Sequence, residues 1–363
     1  MNKRKYLDYI FNPLELLRTK RVLQVNPTVS AVREEPAETK IFLYDYDRTN
    51  STFLAVGQPE ECYPYLDTNS ITWINMDGIR KGDVEKVCTH FGIHPLIVED
   101  ILSHGQRPKT DEINGIIFCL LNMLYFNETD SAVESEQISI ILGKNFVISF
   151  QEDATRDVFN ALREKIKLNN SKVRQAGADF LFYSMIDLIV DHYYIVMEKL
   201  ADRIEQLEED IIRNANKRSL ARINMLRKEL ILLKRSVSPV RELIGGILRS
   251  ESELVEERTE KYFKDVYDHI IQANDLAENY RDMMMNLQDL YLSNVNLKMN
   301  EVMKVMAIVT CLLAPATVIG GIFGMNFDRI PLLHNKWGFF ISVGLMLLIP
   351  IWMVGFFRRR GWF

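Results

Sequence analysis

The stretch MNEVMKVMAIVTCLLAPATVIGGIFGMN, residues 299–326, decides the fold. From Met303 to Phe323 its only charge is Lys304, and about 20 apolar residues in a helix cross a bilayer. A second apolar run, Trp337 to Phe357, follows after a short polar loop. Two spans so close together predict a membrane hairpin with that loop on the far side. Upstream of the first span, one stripe spaced by fours and threes runs through Asp289, Ser293, Asn296, Asn300, Met303, Ala307, Thr310, Ala314, Thr317 and Gly321. Inside the span its neighbours are bulky and apolar: Val305, Ile308, Val309, Leu312, Leu313, Val318, Ile319 and Ile322. A small and polar seam at the coiled-coil period predicts several copies of the helix wound about one axis.

Such a seam has two readings. Small residues let membrane helices approach closely, so it can be packing alone. Alternatively it lines a pore, where hydroxyls, amides and a carboxylate face water and replace part of an ion's solvent shell. Asp289, Asn296 and Asn300 favour the pore, because three polar residues on one face gain nothing against lipid.

The remaining composition is that of an ordinary soluble protein with a small membrane part: 363 residues, 47% hydrophobic and 26% charged, with net charge -5. Cys62, Cys88, Cys119 and Cys311 are scattered without a Cys-x-x-Cys pair, so neither a zinc site nor a disulfide framework is indicated. The start Met1-Asn2-Lys3-Arg4-Lys5 is basic but leads into a charged, Pro-bearing stretch and not the apolar core of a signal peptide. The residues before the first span are therefore expected in the cytoplasm. Arg358-Arg359-Arg360 place the C-terminus on the same side by the positive-inside bias, which suits an even number of spans.

Taken in order, residues 1–38, with Pro13, Pro27 and Pro36, read as a loosely held arm. An α/β domain is expected over 39–157. Its strands are Ile41–Tyr46, Ile71–Asn75, Ile116–Tyr125, Ile138–Leu142 and Phe146–Phe150, with a hairpin turn at Gly143-Lys144-Asn145. Its helices are Asp83–Phe91, with Asp83 as N-cap, and Pro95–Leu102. Nothing there reads as catalytic: no nucleophile elbow, no phosphate-binding glycine loop, no paired His on a helix face. A helical hairpin is expected over 158–260, with Leu200, Ile204, Leu207 and Ile211 on its buried face, a break at Asn214-Ala215-Asn216, and interruptions at Pro239 and Gly245-Gly246. From Tyr262 a stalk helix (261–302) runs into the first span (303–323). It measures about 60 residues, or near 90 Å. A loop (324–336), the second span (337–357) and a basic end (358–363) complete the chain.

The segments 299–305, Gly321-Ile322-Phe323-Gly324-Met325-Asn326-Phe327 and Trp337-Gly338 resemble the CorA-type magnesium channel family, whose signature is Gly-Met-Asn closing the first of two C-terminal spans. The resemblance extends upstream through Trp73-Ile74-Asn75, Phe91-Gly92-Ile93-His94-Pro95-Leu96, Glu99-Asp100-Ile101-Leu102, Gln106-Arg107-Pro108-Lys109 and Asp265-Val266-Tyr267-Asp268-His269. It implies an α+β membrane protein with a cytoplasmic α/β domain, assembled as a funnel-shaped homopentamer in the plasma membrane, with no nucleic-acid partner and no enzymatic activity. Gly324, Met325 and Asn326 would form the outer mouth, with Asn326 oxygens facing the hydrated ion. Neutral carbonyl oxygens suit Mg2+, which gives up water reluctantly. Asp289, Asn300, Thr317 and Thr310 would be polar rings below that mouth, and Met303 with Met306 a hydrophobic gate. The resemblance further implies that Asp100 and Asp265 of neighbouring subunits bind Mg2+ and hold the pore shut, with Glu99, Asp187 and His269 at a second site. The resemblance also implies Co2+ and Ni2+ as further cargo. Two departures stand out. The family often has Leu where Met306 stands and Met where Ala314 stands. Its loop commonly reads Met-Pro-Glu-Leu against Ile330-Pro331-Leu332-Leu333 here, which leaves Asp328 as the loop acid. Rival readings are a zinc-transporting relative and a membrane-tethered sensor or scaffold that does not conduct.

Overall fold

The computed structural model describes residues 36, 38–66, 68–153, 156, 158–250, 252–326, 330–332 and 335–362. The arm over 1–38 lies almost wholly outside these residues, as does the loop acid Asp328.

Seven strands form one sheet: β1 (Lys40–Tyr46), β2 (Ser51–Val56), β3 (Ile71–Asp77), β4 (Lys109–Ile113), β5 (Ile116–Asn127), β6 (Ala132–Leu142) and β7 (Phe146–Gln151). The spatial order is β2-β1-β3-β7-β6-β5-β4. Only β3 and β7 run parallel, with Ile74 opposite Ile148; the other described pairings are antiparallel. The five strands read from the sequence are present, somewhat longer. Strands β2 and β4 escaped that reading. Ser51–Val56 is exposed along most of its length, and Lys109–Ile113 carries charge, so neither offers a buried alternation to detect.

The two faces of the sheet differ. One buries Ile41, Leu43, Ile74, Met76, Ile148 and Phe150 against α1 (Lys81–His90) and α2 (Pro95–Leu102). The other carries a buried polar relay: Trp73 Nε1 donates to Ser149 Oγ (2.9 Å), Ser149 Oγ donates to Asn75 Oδ1 (2.6 Å), and Asn75 Nδ2 donates to Asp77 Oδ1 (2.8 Å). These groups are fully buried or nearly so, and each bond spares a desolvation cost of about 1–3 kcal/mol. Above them Phe159 meets Trp73 edge-on, and the Arg163 guanidinium of α3 (Asn160–Lys167) lies 5.3 Å over the indole.

Helix α2 matches its expected limits, and His94 Nδ1 caps it by accepting from Leu96 N at 3.2 Å. Helix α1 starts earlier than expected. Its N-cap is Arg80, and Asp83 sits in the first turn beside the Arg80 guanidinium (3.8 Å) instead of capping. There its charge still favours the helix N-terminus.

After the single turn α4 (Lys172–Gln175), α5 (Ala178–Asn214) and α6 (Lys217–Arg249) form the expected hairpin, with its break at Ala215-Asn216. The expected interruptions of α6 do not occur: the helix continues through Pro239, Gly245 and Gly246. Gly246 serves packing. A Cβ on Gly246 would sit 2.9 Å from Thr110 Cγ2 of β4, so the sheet edge fits only against a bare backbone. Helix α5 is apolar enough to resemble a membrane span, but 67% of that apolar window is buried within the protein's own fold, which makes it a core helix.

Helix α7 (Glu257–Phe323) runs 67 residues without a break, Pro315 included. By contact the chain falls into two compact units. One holds the described residues up to Asp210 and Lys217–Gln288; the other holds Ile211–Asn216 and Asp289 onward. In the second unit, side chains of α7 satisfy the carbonyls that end α5. Lys298 Nζ donates to Ala215 O at 3.0 Å and also to Asn214 Oδ1, and Asn294 Nδ2 donates to Ile211 O at 3.3 Å. Helix α8 (Gly338–Arg359) follows.

The β6–β7 turn gives a test of this packing. Gly143 N donates to Phe146 O (2.9 Å), and an alanine Cβ at 143 would lie 2.3 Å from Cζ of Phe146, a ring already held edge-on against Phe91 at 5.0 Å. Gly143→Ala should destabilise the protein by about 1–3 kcal/mol through overpacking, and Phe146→Leu in that background should recover part of the loss. Thermal unfolding of the detergent-solubilised full chain measures both; an unchanged midpoint in Gly143→Ala would show the turn is not sterically fixed.

Candidate functional site

Helix α5 and the soluble part of α7 bring three potential ligands together. Asp187 and Asp191 stand one turn apart on α5, and His269 projects from α7, with one ligand atom from each lying within 4.8 Å of the others. Tyr194 O–H donates to His269 O (2.6 Å) and fixes the helices at this level. Tyr183 O–H donates to Asp187 Oδ2 (3.2 Å), and its ring packs on Tyr262 and Phe263. Burial raises the Asp187 carboxyl above its ordinary range, and the neighbouring charge of Asp191 adds to that; the Tyr183 hydrogen bond and His269 work the other way. Two carboxylates this close repel, and a divalent cation would relieve both the repulsion and the desolvation. The oxygen donors suit Mg2+, and the imidazole also suits softer transition ions.

Asp187 and His269 were expected at a metal site; Asp191 was not. Its signal was available, since a carboxylate four residues after Asp187 shares its helix face. Asp265, one turn before His269, is exposed, and its charge contributes to the field at Asp187. Asp100 and Glu99 belong elsewhere. The Asp100 carboxylate already meets Lys109 Nζ at 2.5 Å, its backbone oxygen accepts from Gln137 Nε2 (3.2 Å), and Glu99 is exposed at the end of α2.

The membrane half of α7 presents the second site. Asp289, Ser293, Asn296, Asn300, Met303, Ala307, Thr310, Ala314, Thr317 and Gly321 are all exposed, so the chain's own residues leave the whole seam uncovered. The residues it does bury or half-bury there, Lys304, Ile308, Leu312, Pro315, Ala316, Ile319 and Phe323, lie on another face. Thr310 Oγ1 donates to Met306 O (2.9 Å) and Thr317 Oγ1 to Leu313 O (3.1 Å). Each hydroxyl hydrogen is thereby used within the helix, which leaves the oxygen lone pairs to meet a cation or its water. Met306, 64% exposed, projects freely. At the helix end Gly324 N donates to Gly320 O (3.0 Å) and Met325 N to Ile322 O (3.3 Å), and exposed Asn326 follows the last turn directly. Returning, the chain crosses the start of α8 so closely that a Cβ on Gly338 would lie 2.0 Å from Leu332 O.

A long helix ending in Gly-Met-Asn after a mixed α/β sheet is matched by a known family model, CorA-like Mg2+ transporter protein, over residues 68–359. The chain belongs to that family. It is 41% identical over 304 residues to the cobalt/magnesium transport protein CorA of Thermotoga maritima, covering 84% of this chain and 86% of that one. It is 31% identical over 291 residues to the putative metal ion transporter YfjQ of Bacillus subtilis, covering 80% and 89%. Among solved structures, the complete CorA magnesium transporter of Methanocaldococcus jannaschii superposes with a TM-score of 0.75 at 23% identity, over 92% of this chain and all of that one. At that identity the match speaks for the CorA fold, a soluble α/β domain followed by long helices with apolar stretches.

If the acidic cluster takes a cation, Mg2+ or Co2+ should raise the thermal midpoint of the full chain, by a stabilisation of about 2.7 kcal/mol at a hundredfold excess over Kd. Asp187→Asn/Asp191→Asn should lose that rise. A double variant still stabilised with the wild-type midpoint concentration would assign the effect to other acids.

Proposed function

We propose that this CorA-family chain is a homopentameric magnesium channel of the plasma membrane, with both termini in the cytoplasm, conducting Mg2+ and also Co2+ or Ni2+. The observation that carries the reading is the seam: a polar and small-residue stripe, uncovered by its own chain, runs on one unbroken helix from Asp289 to the Gly324-Met325-Asn326 terminus. Polar groups in a membrane segment avoid lipid and turn to a bundle interior or water. Copies of α7 around one axis would satisfy them, with Asn326 at the mouth, Thr317, Thr310, Asn300 and Asp289 as successive oxygen rings, and Met303 and Met306 as the apolar constriction.

Transport of this kind is passive. A divalent ion entering a negative interior at about 100 mV gains near 4.6 kcal/mol, from ~2.3 kcal/mol per charge. We assign closure to cytoplasmic Mg2+ held by Asp265 and Asp100 across subunit boundaries, and by Asp187, Asp191 and His269 within each subunit. Internal Mg2+ favours closure only to the extent that it binds the closed state more tightly. For the boundary site, the cation must compete with Lys109 for Asp100.

Asn326→Ala should abolish Mg2+ uptake into proteoliposomes while leaving oligomer assembly unchanged, because it removes exposed acceptors and little packing. Wild-type uptake in that variant would remove Asn326 from the selectivity role. If uptake is absent in the wild type as well, the chain is a non-conducting sensor; if Zn2+ alone passes, it is a zinc-transporting relative. Orientation is measured separately. In a Cys311→Ser background, a membrane-impermeant thiol reagent added outside should label Asn335→Cys and spare Met299→Cys, and the reverse pattern would invert the topology.

A further inference from the structure

We propose that the C-terminal end of α8 is a docking site for the headgroup of an anionic phospholipid. Arg358, Arg359 and Arg360 are all exposed, and among the described residues no carboxylate pairs with them. Residues 337–363 contain no Asp or Glu at all. The arginines are held by a well-defined stop. Gly361 takes a left-handed conformation (φ 71), Gly361 N donates to Arg358 O (3.2 Å), and Trp362 N donates back to Phe357 O (3.0 Å). This paired hydrogen-bond closure satisfies carbonyls of the last turn. It also folds the tail back, so that the Trp362 ring stacks on Phe357 (centroids 5.2 Å apart, 10° between planes).

A second aromatic pair, Trp352 and Phe356, stacks one turn earlier, and the Arg360 guanidinium lies 5.6 Å over Phe356. The last turns of α8 thus carry three aromatic rings, and Trp362 folds a fourth back onto them, with three guanidinium groups beside them. Aromatic rings of this kind settle at the headgroup level of a bilayer. The apolar window of α8 is only 6% buried within the chain, which leaves its sides to lipid. A guanidinium matches phosphate oxygens in a two-pronged geometry that an ammonium cannot reproduce. The helix C-terminus itself repels an anion, but with roughly half a charge against three full ones. The site rests on the proposed orientation, with the C-terminus on the cytoplasmic side, where anionic lipids gather.

The test uses the full chain reconstituted in vesicles of three parts phosphatidylcholine to one part phosphatidylglycerol, then gently extracted, with retained lipid counted by mass spectrometry. Phosphatidylglycerol should be enriched over the bulk ratio in the wild type, and raising the salt should lower that enrichment. R358Q/R359Q/R360Q should weaken retention by about fivefold for each arginine removed, and R358K/R359K/R360K should lose less. Trp362→Ala should give an intermediate loss. Unchanged retention in the glutamine variant, or retention insensitive to salt in the wild type, overturns the proposal. Displacement of the lipid by equimolar inorganic phosphate also overturns it, since the site would then be one for free phosphate. Mg2+ uptake and thiol labelling, run on the same vesicles, fail independently if the transport or orientation reading is wrong.

Discussion

A bilayer core offers no water to backbone N–H and C=O groups, so a segment crossing it must satisfy them internally. Helix α7 meets that demand by continuing without a break from soluble residues at Glu257 to Phe323. Pro315 removes one backbone donor within the span, and the helix continues past it. Because the backbone is satisfied locally, the side chains are free to serve another purpose. They divide into an apolar flank and an uncovered polar seam. A lone copy of this helix would leave Thr310 and Thr317 against lipid, an arrangement whose cost several copies around one axis would remove.

The same helix carries the acid-rich site in its soluble part. The turn of α5 itself keeps Asp187 and Asp191 close, while aromatic packing and the Tyr194 bond to His269 hold α7 against them. Burying a carboxylate and holding a second one beside it both disfavour its charge, and burial above all raises the Asp187 carboxyl. A bound cation would offset that cost. Asp100 differs, because Lys109 already compensates it within the chain.

Much of this was legible in residue order, and the misses have physical causes. The Gly-Met-Asn terminus, the two spans and the break between α5 and α6 stood out because each is a local pattern. Pro239 and Gly245-Gly246 predict helix breaks on intrinsic preference alone. Packing overrides that preference: Gly246 is needed where Thr110 approaches, and tertiary contact covers the propensity cost of about 1 kcal/mol. Asp83 has the residue type that suits a cap, whereas Arg80 has the extended backbone that a cap requires. Strand β4 was invisible because its pairing with β5, and not its own apolar pattern, makes it a strand.

The sequence by itself determined the two long apolar stretches, the heptad seam and the family, since these depend on spacing along one helix and on contiguous motifs. Tertiary structure decided which acids meet. Asp191 joins Asp187 and His269 because α5 and α7 pack in one register, while Asp100 is claimed by Lys109 through a contact between α2 and β4. Side-chain partners on different elements are set by packing geometry, which no local periodicity encodes. The seam was readable in advance, but that the chain's own residues leave it bare became evident only once α7 and α8 were folded together.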